Sequence, residues 1–249
     1  LPEFHGFSAV VQPEYLRDWN EGGSGAMGKD VSCAPATFAR QRPTVLVVDD
    51  DLRTRGALSS LFRSVGLAVQ AFESAADMLK YPIPSSPSCL VLDIILPQLD
   101  GFELQVELGR LGNRIPIIFM TGYGDIPMSV KAMKAGAIDF LTKPFRDHEM
   151  LEAVTRALDR DQTRRAEERR AEQIKSRFDT LTARERQVMS LVTAGLMNKQ
   201  VASEIGISER TVKIHRGHVM RKMGTESLAD LVLIAESLGV RWRRRNTST

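Results

Sequence analysis

The stretch Cys89-Leu90-Val91-Leu92-Asp93-Ile94-Ile95-Leu96-Pro97 decides the fold. Four apolar residues in a row read as a buried strand, and Asp93, with Pro97 four positions on, marks the tip where that strand must break. A second strand with an acidic tip lies upstream, in Thr44-Val45-Leu46-Val47-Val48-Asp49-Asp50-Asp51. If the two are parallel neighbours, Asp49, Asp50 and Asp93 converge at one sheet edge. They then form an all-oxygen site suited to Mg²⁺, in which one carboxylate can act as a nucleophile.

Outward from these strands, short apolar runs alternate with helical segments. The pattern predicts strands at Val45 to Val48, Leu67 to Phe72, Leu90 to Leu92, Ile115 to Met120 and Ile138 to Leu141. Helices are predicted near 52 to 64, 74 to 80, 101 to 110, 127 to 135 and from 147 onward. Alternation of this kind gives an α/β doubly wound, five-stranded parallel sheet, and such sheets carry their ligand sites at the carboxyl ends of the strands. From Asp147 to Phe178 there is neither Gly nor Pro. The apolar stripe Leu151, Val154 and Leu158 gives way to a run that is polar nearly all round, which predicts a packed helix continuing as a solvated connector. Beyond Leu181 the chain reads as a small all-α domain, with Thr182 and Ser208 as helix N-caps.

The chain thus divides into a flexible segment at 1–43, an α/β domain at 44–158, a helical linker at 159–178, a helical domain at 179–240 and a basic tail at 241–249. The stretch Glu21-Gly22-Gly23-Ser24-Gly25 has linker composition, so the first residues read as an appended peptide on a tether. No apolar run approaches the roughly 18–20 residues of a membrane span, and no basic-then-apolar leader is evident; a cytoplasmic protein without a membrane partner is expected. Cys33 and Cys89 have no metal or redox spacing. His148, His215 and His218 show no grouping with carboxylates and receive no role. Residues 1–150 carry 14 Lys and Arg against 18 Asp and Glu, net −4, whereas residues 151–249 carry 20 against 13, net +7. The first half suits a cation and the second a polyanion.

Two more side chains make the acidic cluster chemically specific. Thr121 follows the run Ile117-Ile118-Phe119-Met120, and Lys143 follows Phe140-Leu141-Thr142 and precedes Pro144. A hydroxyl and an ammonium at the same sheet edge suit phosphoryl transfer, in which the protein mainly positions charge. Asp93, Thr121 and Lys143 are the candidate catalytic set. Asp51 reads as the N-cap of the following helix.

These residues resemble bacterial response-regulator receiver domains: Asp49-Asp50 after the first strand, Asp93 with Pro97 and Asp100-Gly101, Thr121-Gly122, and Lys143-Pro144-Phe145. The resemblance implies that Asp93 accepts a phosphoryl group from a sensor histidine kinase. It also implies that Asp50, Asp49 through water, Asp93 and the Ile95 carbonyl hold Mg²⁺, and that the Lys143–Pro144 bond is cis. Thr121 and Lys143 would bind the phosphoryl oxygens. Thr121 and Phe140 would form the switch, as the added charge draws Thr121 and the loop Gly122-Tyr123-Gly124-Asp125 inward. Met128, Val130, Met133 and Ile138 are then candidates for a symmetric dimer contact.

In the basic half, Val201 through Lys213 reads as helix, tight turn at Gly206, N-cap at Ser208 and second helix. Val212, Val219, Met220 and Met223 face inward, while Lys213, Arg216, Arg221 and Lys222 lie elsewhere. Leu181-Thr182-Ala183-Arg184-Glu185, Ala194-Gly195-Leu196 and Thr211-Val212-Lys213-Ile214-His215 resemble the LuxR-type helix-turn-helix, which places 44–239 in the NarL/FixJ class, nearest the FixJ branch. That resemblance implies promoter DNA as a partner, a homodimer on phosphorylation and contact with RNA polymerase. Lys213 and Ile214 would meet base edges, Lys199, Arg216 and Arg221 phosphates, and Gly217 stands where relatives carry a base-contacting lysine. Leu228, Leu231, Val232 and Ile234 on a fourth helix serve either as core or as a domain-pairing face. Two other functions compete with a transcription regulator. One is a Mg²⁺-dependent phosphatase with an aspartyl intermediate, weakened because Ile95 stands where its acid would be. The other is a signalling adaptor without DNA binding, weakened by the +7 half.

Overall fold

The computed structural model describes residues 42–122 and 126–240. The expected N-terminal tether, residues 123–125 of the loop after Thr121 and the basic tail from 241 lie outside the described residues. Among these residues no helix is long and apolar enough to cross a membrane.

Five strands, β1 (Thr44–Val48), β2 (Ala68–Phe72), β3 (Ser88–Asp93), β4 (Ile117–Thr121) and β5 (Asp139–Thr142), form one parallel sheet in the order β2-β1-β3-β4-β5. The crossovers carry α1 (Leu52–Ser64), α2 (Ala75–Lys80), α3 (Gly101–Arg110) and α4 (Ile126–Lys134). Because successive side chains on a strand point to opposite faces, each strand feeds two cores. Leu46, Val48, Leu90, Leu92 and Phe119 pack on one side with Leu104, Leu108 and Ala132. Val45, Val47, Cys89, Val91, Ile118 and Met120 pack on the other with Leu58, Phe62, Met150 and Val154. Continuous apolar runs are what a sheet covered on both faces requires. Three expected strand starts shift inward, from Leu67 to Ala68, Ile115 to Ile117 and Ile138 to Asp139: Leu67 gives its N–H to Phe62 O, which closes α1, Pro116 lends only its carbonyl to Leu90, and Ile138 gives its N–H to Ile117 O.

One helix, α5 (Asp147–Asp179), runs for 33 residues. Its first half buries Met150, Ala153, Val154, Ala157 and Leu158 against the sheet. The packing extends past 158 into the part read as solvated. Asp161 is fully buried, accepts the Ser88 N–H at 2.9 Å, and pairs with Arg164 and Arg165. Arg165 in turn donates to the Pro84 and Ser85 carbonyls, so a polar knot ties α5 to the start of β3.

The same helix then enters the second core. Ile174 and Phe178 pack against a cluster of Leu181, Met189, Val219, Met223 and Leu231. Four helices follow: α6 (Ala183–Thr193), α7 (Asn198–Ile205), α8 (Glu209–Met223) and α9 (Leu228–Ser237). Thr182 and Glu185 cap α6 reciprocally, and Ser208 Oγ accepts the Thr211 N–H at the start of α8. Gly206 at φ 67° makes the tight turn between α7 and α8, a left-handed conformation that glycine adopts without a Cβ clash. Leu231 is fully buried and Leu228 and Ile234 pack beside it, so three of the four named α9 residues serve the core.

Candidate functional site

The parallel register sets the strand tips side by side. Val48 pairs with Leu92, Asp93 with Met120, and Thr121 with Thr142, so Asp49, Asp93, Thr121 and Lys143 emerge along one edge. Asp49 and Thr121 are fully buried and Asp93 nearly so, while Asp50 is exposed at the rim. Lys143 Nζ donates to Asp49 Oδ2 and to Asp93 Oδ2, each at 2.6 Å. The other oxygen of each carboxylate takes a backbone N–H two residues on, Asp51 N to Asp49 Oδ1 at 2.8 Å and Ile95 N to Asp93 Oδ1 at 3.0 Å. Carboxylate oxygens of Asp49, Asp50 and Asp93 lie within 4.8 Å of one another. That all-oxygen, trianionic group fits a hard divalent ion such as Mg²⁺.

The electrostatics are those of a site that keeps its charges poised. Burial pushes the Asp49 carboxyl above its ordinary range, against the pull of Lys143 and the Asp51 N–H. Burial by itself would lower Lys143, but hydrogen bonds to Asp49 and Asp93 outweigh it and hold the ammonium above its usual value. The Lys143–Pro144 bond is cis.

Two further residues support the site from neighbouring elements. Arg55, on the first turns of α1, donates to the Asp49 and Asp50 carbonyls at 2.7 and 2.9 Å and so clamps the acidic turn from behind. Gly101 opens α3 directly against β3: a Cβ there would stand 2.6 Å from the Asp93 carbonyl oxygen and 3.0 Å from Ile94 Cα. Asp51 caps α1, as its position predicts, accepting the Arg53 and Thr54 N–H groups. Phe140 is half-buried on β5 and packs on the core beside Phe119, its neighbour in register. Of the four expected dimer residues, Met128 and Ile138 pack inward, whereas Val130 and Met133 are exposed together with Ile126.

In the helical domain, Lys213, Ile214, Gly217 and Arg221 are all exposed and fall on one stripe of α8. Lys199 is exposed on α7; Arg216 is half-buried, with Nη1 3.5 Å from Asn198 Oδ1. Lys222 is not among the presented cations, because its ammonium is engaged by Glu185 Oε2 at 2.7 Å and the Thr180 carbonyl at 3.1 Å. The expectation that the histidines lack carboxylate neighbours is corrected: His215 and His218 group with Glu185 across α6 and α8. Residues so far apart in the chain give no sequence signal beyond the three-residue histidine spacing.

Comparison with known proteins agrees with this layout. Residues 45–155 match the family described as response regulator receiver domain, and residues 179–235 match bacterial regulatory proteins of the luxR family. Nodulation protein W of Bradyrhizobium diazoefficiens is 57% identical over 204 residues, covering 82% of this chain and 90% of that protein. The transcriptional regulatory protein FixJ of Rhizobium meliloti is 44% identical over 192 residues, covering 77% and 94%. Among solved structures, the response regulator StyR superposes with a TM-score of 0.73 at 47% identity, covering 78% of this chain and 98% of that one.

Proposed function

Since the chain belongs to the transcriptional response regulators that join a receiver domain to a LuxR-type DNA-binding domain, we propose that Asp93 is its phosphoryl acceptor and α8 its DNA reader. The observation that carries this reading is Lys143 Nζ bridging Asp49 and Asp93 at 2.6 Å each, with Asp50 alongside.

In the reaction, an Asp93 oxygen forms a bond to phosphorus as the P–N bond of a phosphohistidine on a sensor kinase breaks. The imidazole leaves and takes up a proton. Lys143 moves its hydrogen bond from the Asp93 carboxylate to the phosphoryl oxygens, and the buried Thr121 hydroxyl donates to them as well. Asp49, Asp50, Asp93 and the Ile95 carbonyl would hold Mg²⁺, which when bound neutralises charge on the transferring group. The product carries roughly 1.5–2 negative charges at neutral pH where one carboxylate stood. Thr121 turning toward it frees room for Phe140, and the exposed Ile126, Val130 and Met133 face then pairs with a second copy.

The receiver is assigned to 44–158, the connector to 159–178 and the DNA-binding domain to 179–240. Lys213 and Ile214 reach base edges, Lys199, Arg216 and Arg221 meet phosphates, and Gly217 leaves space on the same stripe. The chain acts in the cytoplasm as a regulator that holds its phosphoryl group and does not turn over a substrate. Ile95 supports this, since it offers no acid to hydrolysis. The test is selection of bound duplexes from random sequence, with and without acetyl phosphate. Treated wild-type protein should enrich a two-fold symmetric site, and Lys213→Ala should weaken it by about 1–3 kcal/mol. Enrichment that ignores acetyl phosphate, or a Lys213→Ala variant with unaltered affinity, would contradict the reading.

A further inference from the structure

The polar seam between α6 and α8 contains a second group of ligand-type side chains. Glu185 Oε2 is filled by the Thr182 N–H at 2.9 Å and Lys222 Nζ at 2.7 Å. Its Oε1 faces His218 Nδ1 at 3.5 Å and takes no hydrogen bond among the described residues. His215 stands three positions before His218, on the same side of α8, with the two rings perpendicular and their centroids 6.5 Å apart. His215 Nδ1 is shut off from solvent and has no hydrogen-bond partner among the described residues. One nitrogen of each ring and one Glu185 oxygen lie within 4.8 Å of one another.

We infer that Glu185, His215 and His218 bind a divalent transition-metal ion of the Zn²⁺ class, through Glu185 Oε1 and one nitrogen of each imidazole. Two imidazoles and a carboxylate are a donor set such ions take, with a fourth position left to water. The set differs in kind from the all-oxygen cluster at Asp49, Asp50 and Asp93, so the two sites sort soft from hard cations. Zn–N and Zn–O bonds of about 2.0–2.2 Å require the three ligand atoms to draw closer than they stand now. His218 is 43% exposed at its side chain and free to turn, while Glu185 is fixed by its bonds to Thr182 and Lys222, so the histidines make the adjustment. The buried Nδ1 of His215, which has no hydrogen-bond partner among the described residues, gives the ion a group whose desolvation is already complete. Lys222 stays on Oε2, and its charge keeps the affinity below that of a dedicated structural site. A bound ion would pin the DNA-reading helix to α6.

The inference is tested on the full chain in excess Mg²⁺, titrated with Zn²⁺ while the histidine ring resonances are followed by NMR. The rings of His215 and His218 should shift together and that of His148, exposed at the start of α5, should not. His218→Asn should lower the affinity read at His215 about tenfold or more, since even the supporting partners of metal ligands are worth roughly 10–100-fold. His148→Gln should leave it unchanged. The inference fails if Zn²⁺ moves neither ring of the wild-type protein, or if His218→Asn binds as tightly as wild type. Because the ring shifts are read first in the unsubstituted chain, a variant that does not fold cannot shelter it.

Discussion

Lys143 shows how much of the acidic pocket rests on single side chains. Two carboxylates, one of them fully buried, share one ammonium at 2.6 Å, and its hydrogen bond opposes the upward push of burial on Asp49. Gly101 matters for a different reason. The start of α3 lies so close to the Asp93 backbone that one methyl group must displace it. Gly101→Ala should therefore destabilise the receiver by about 1–3 kcal/mol, as overpacking does, and slow phosphoryl uptake from acetyl phosphate. Urea unfolding and a time course of uptake check both effects. A variant as stable and as fast as wild type would show that the contact relaxes without moving Asp93.

Among the elements, α5 does most to define the molecule, since one helix supplies the last wall of the receiver and the first of the DNA-binding core. Its C-terminal end also reaches α8, where Arg177 Nη1 donates to the Met223 carbonyl at 3.1 Å and occupies the space a Cβ on Gly224 would need. At its middle, Asp161 is buried with two arginines and a backbone N–H as partners. Removing one partner of such a network leaves the others uncompensated, so Asp161→Ala should cost the receiver about 3–5 kcal/mol. A loss under about 1 kcal/mol in denaturant titration would mean the knot is solvated.

Those same residues show what could be read in sequence. Strand tips were legible because an apolar run ending in Asp or Thr has only one place for its polar group. Asp161 was not, because a charged residue in the run Asp159-Arg160-Asp161 looks solvated whatever it meets in space. Arg55 and the Glu185–His215–His218 group escape for a related reason, since each is defined by a neighbour on another element; Gly101 is visible in the Asp100-Gly101 pair, but its contact with the Asp93 backbone is not. Lys222 reads as part of the basic face of α8 because its charge is visible in sequence and its partner Glu185, 37 positions away, is not.

For the whole molecule, acid acts on the helical domain through Glu185. Hydrogen bonding by Lys222, reinforced by Thr182, holds Glu185 down to about 2 from an ordinary 4.5. A depressed folded-state pKa means that this stabilisation is complete above pH 4.5 and fades as pH falls through about 2. In metal-free buffer, circular dichroism of the helical domain should show stability falling over that window, and Glu185→Gln should flatten the fall. An identical acid profile for the two proteins would remove Glu185 as its cause.

The account stands most directly on where a phosphoryl group goes. Wild-type chain and Asp93→Asn are each incubated with acetyl phosphate and Mg²⁺, and intact masses are compared. Wild type should gain one phosphoryl group that hydroxylamine removes, and Asp93→Asn should gain none. Equal uptake by both proteins, or none by wild type, would contradict the assignment of Asp93 and the switching scheme built on it.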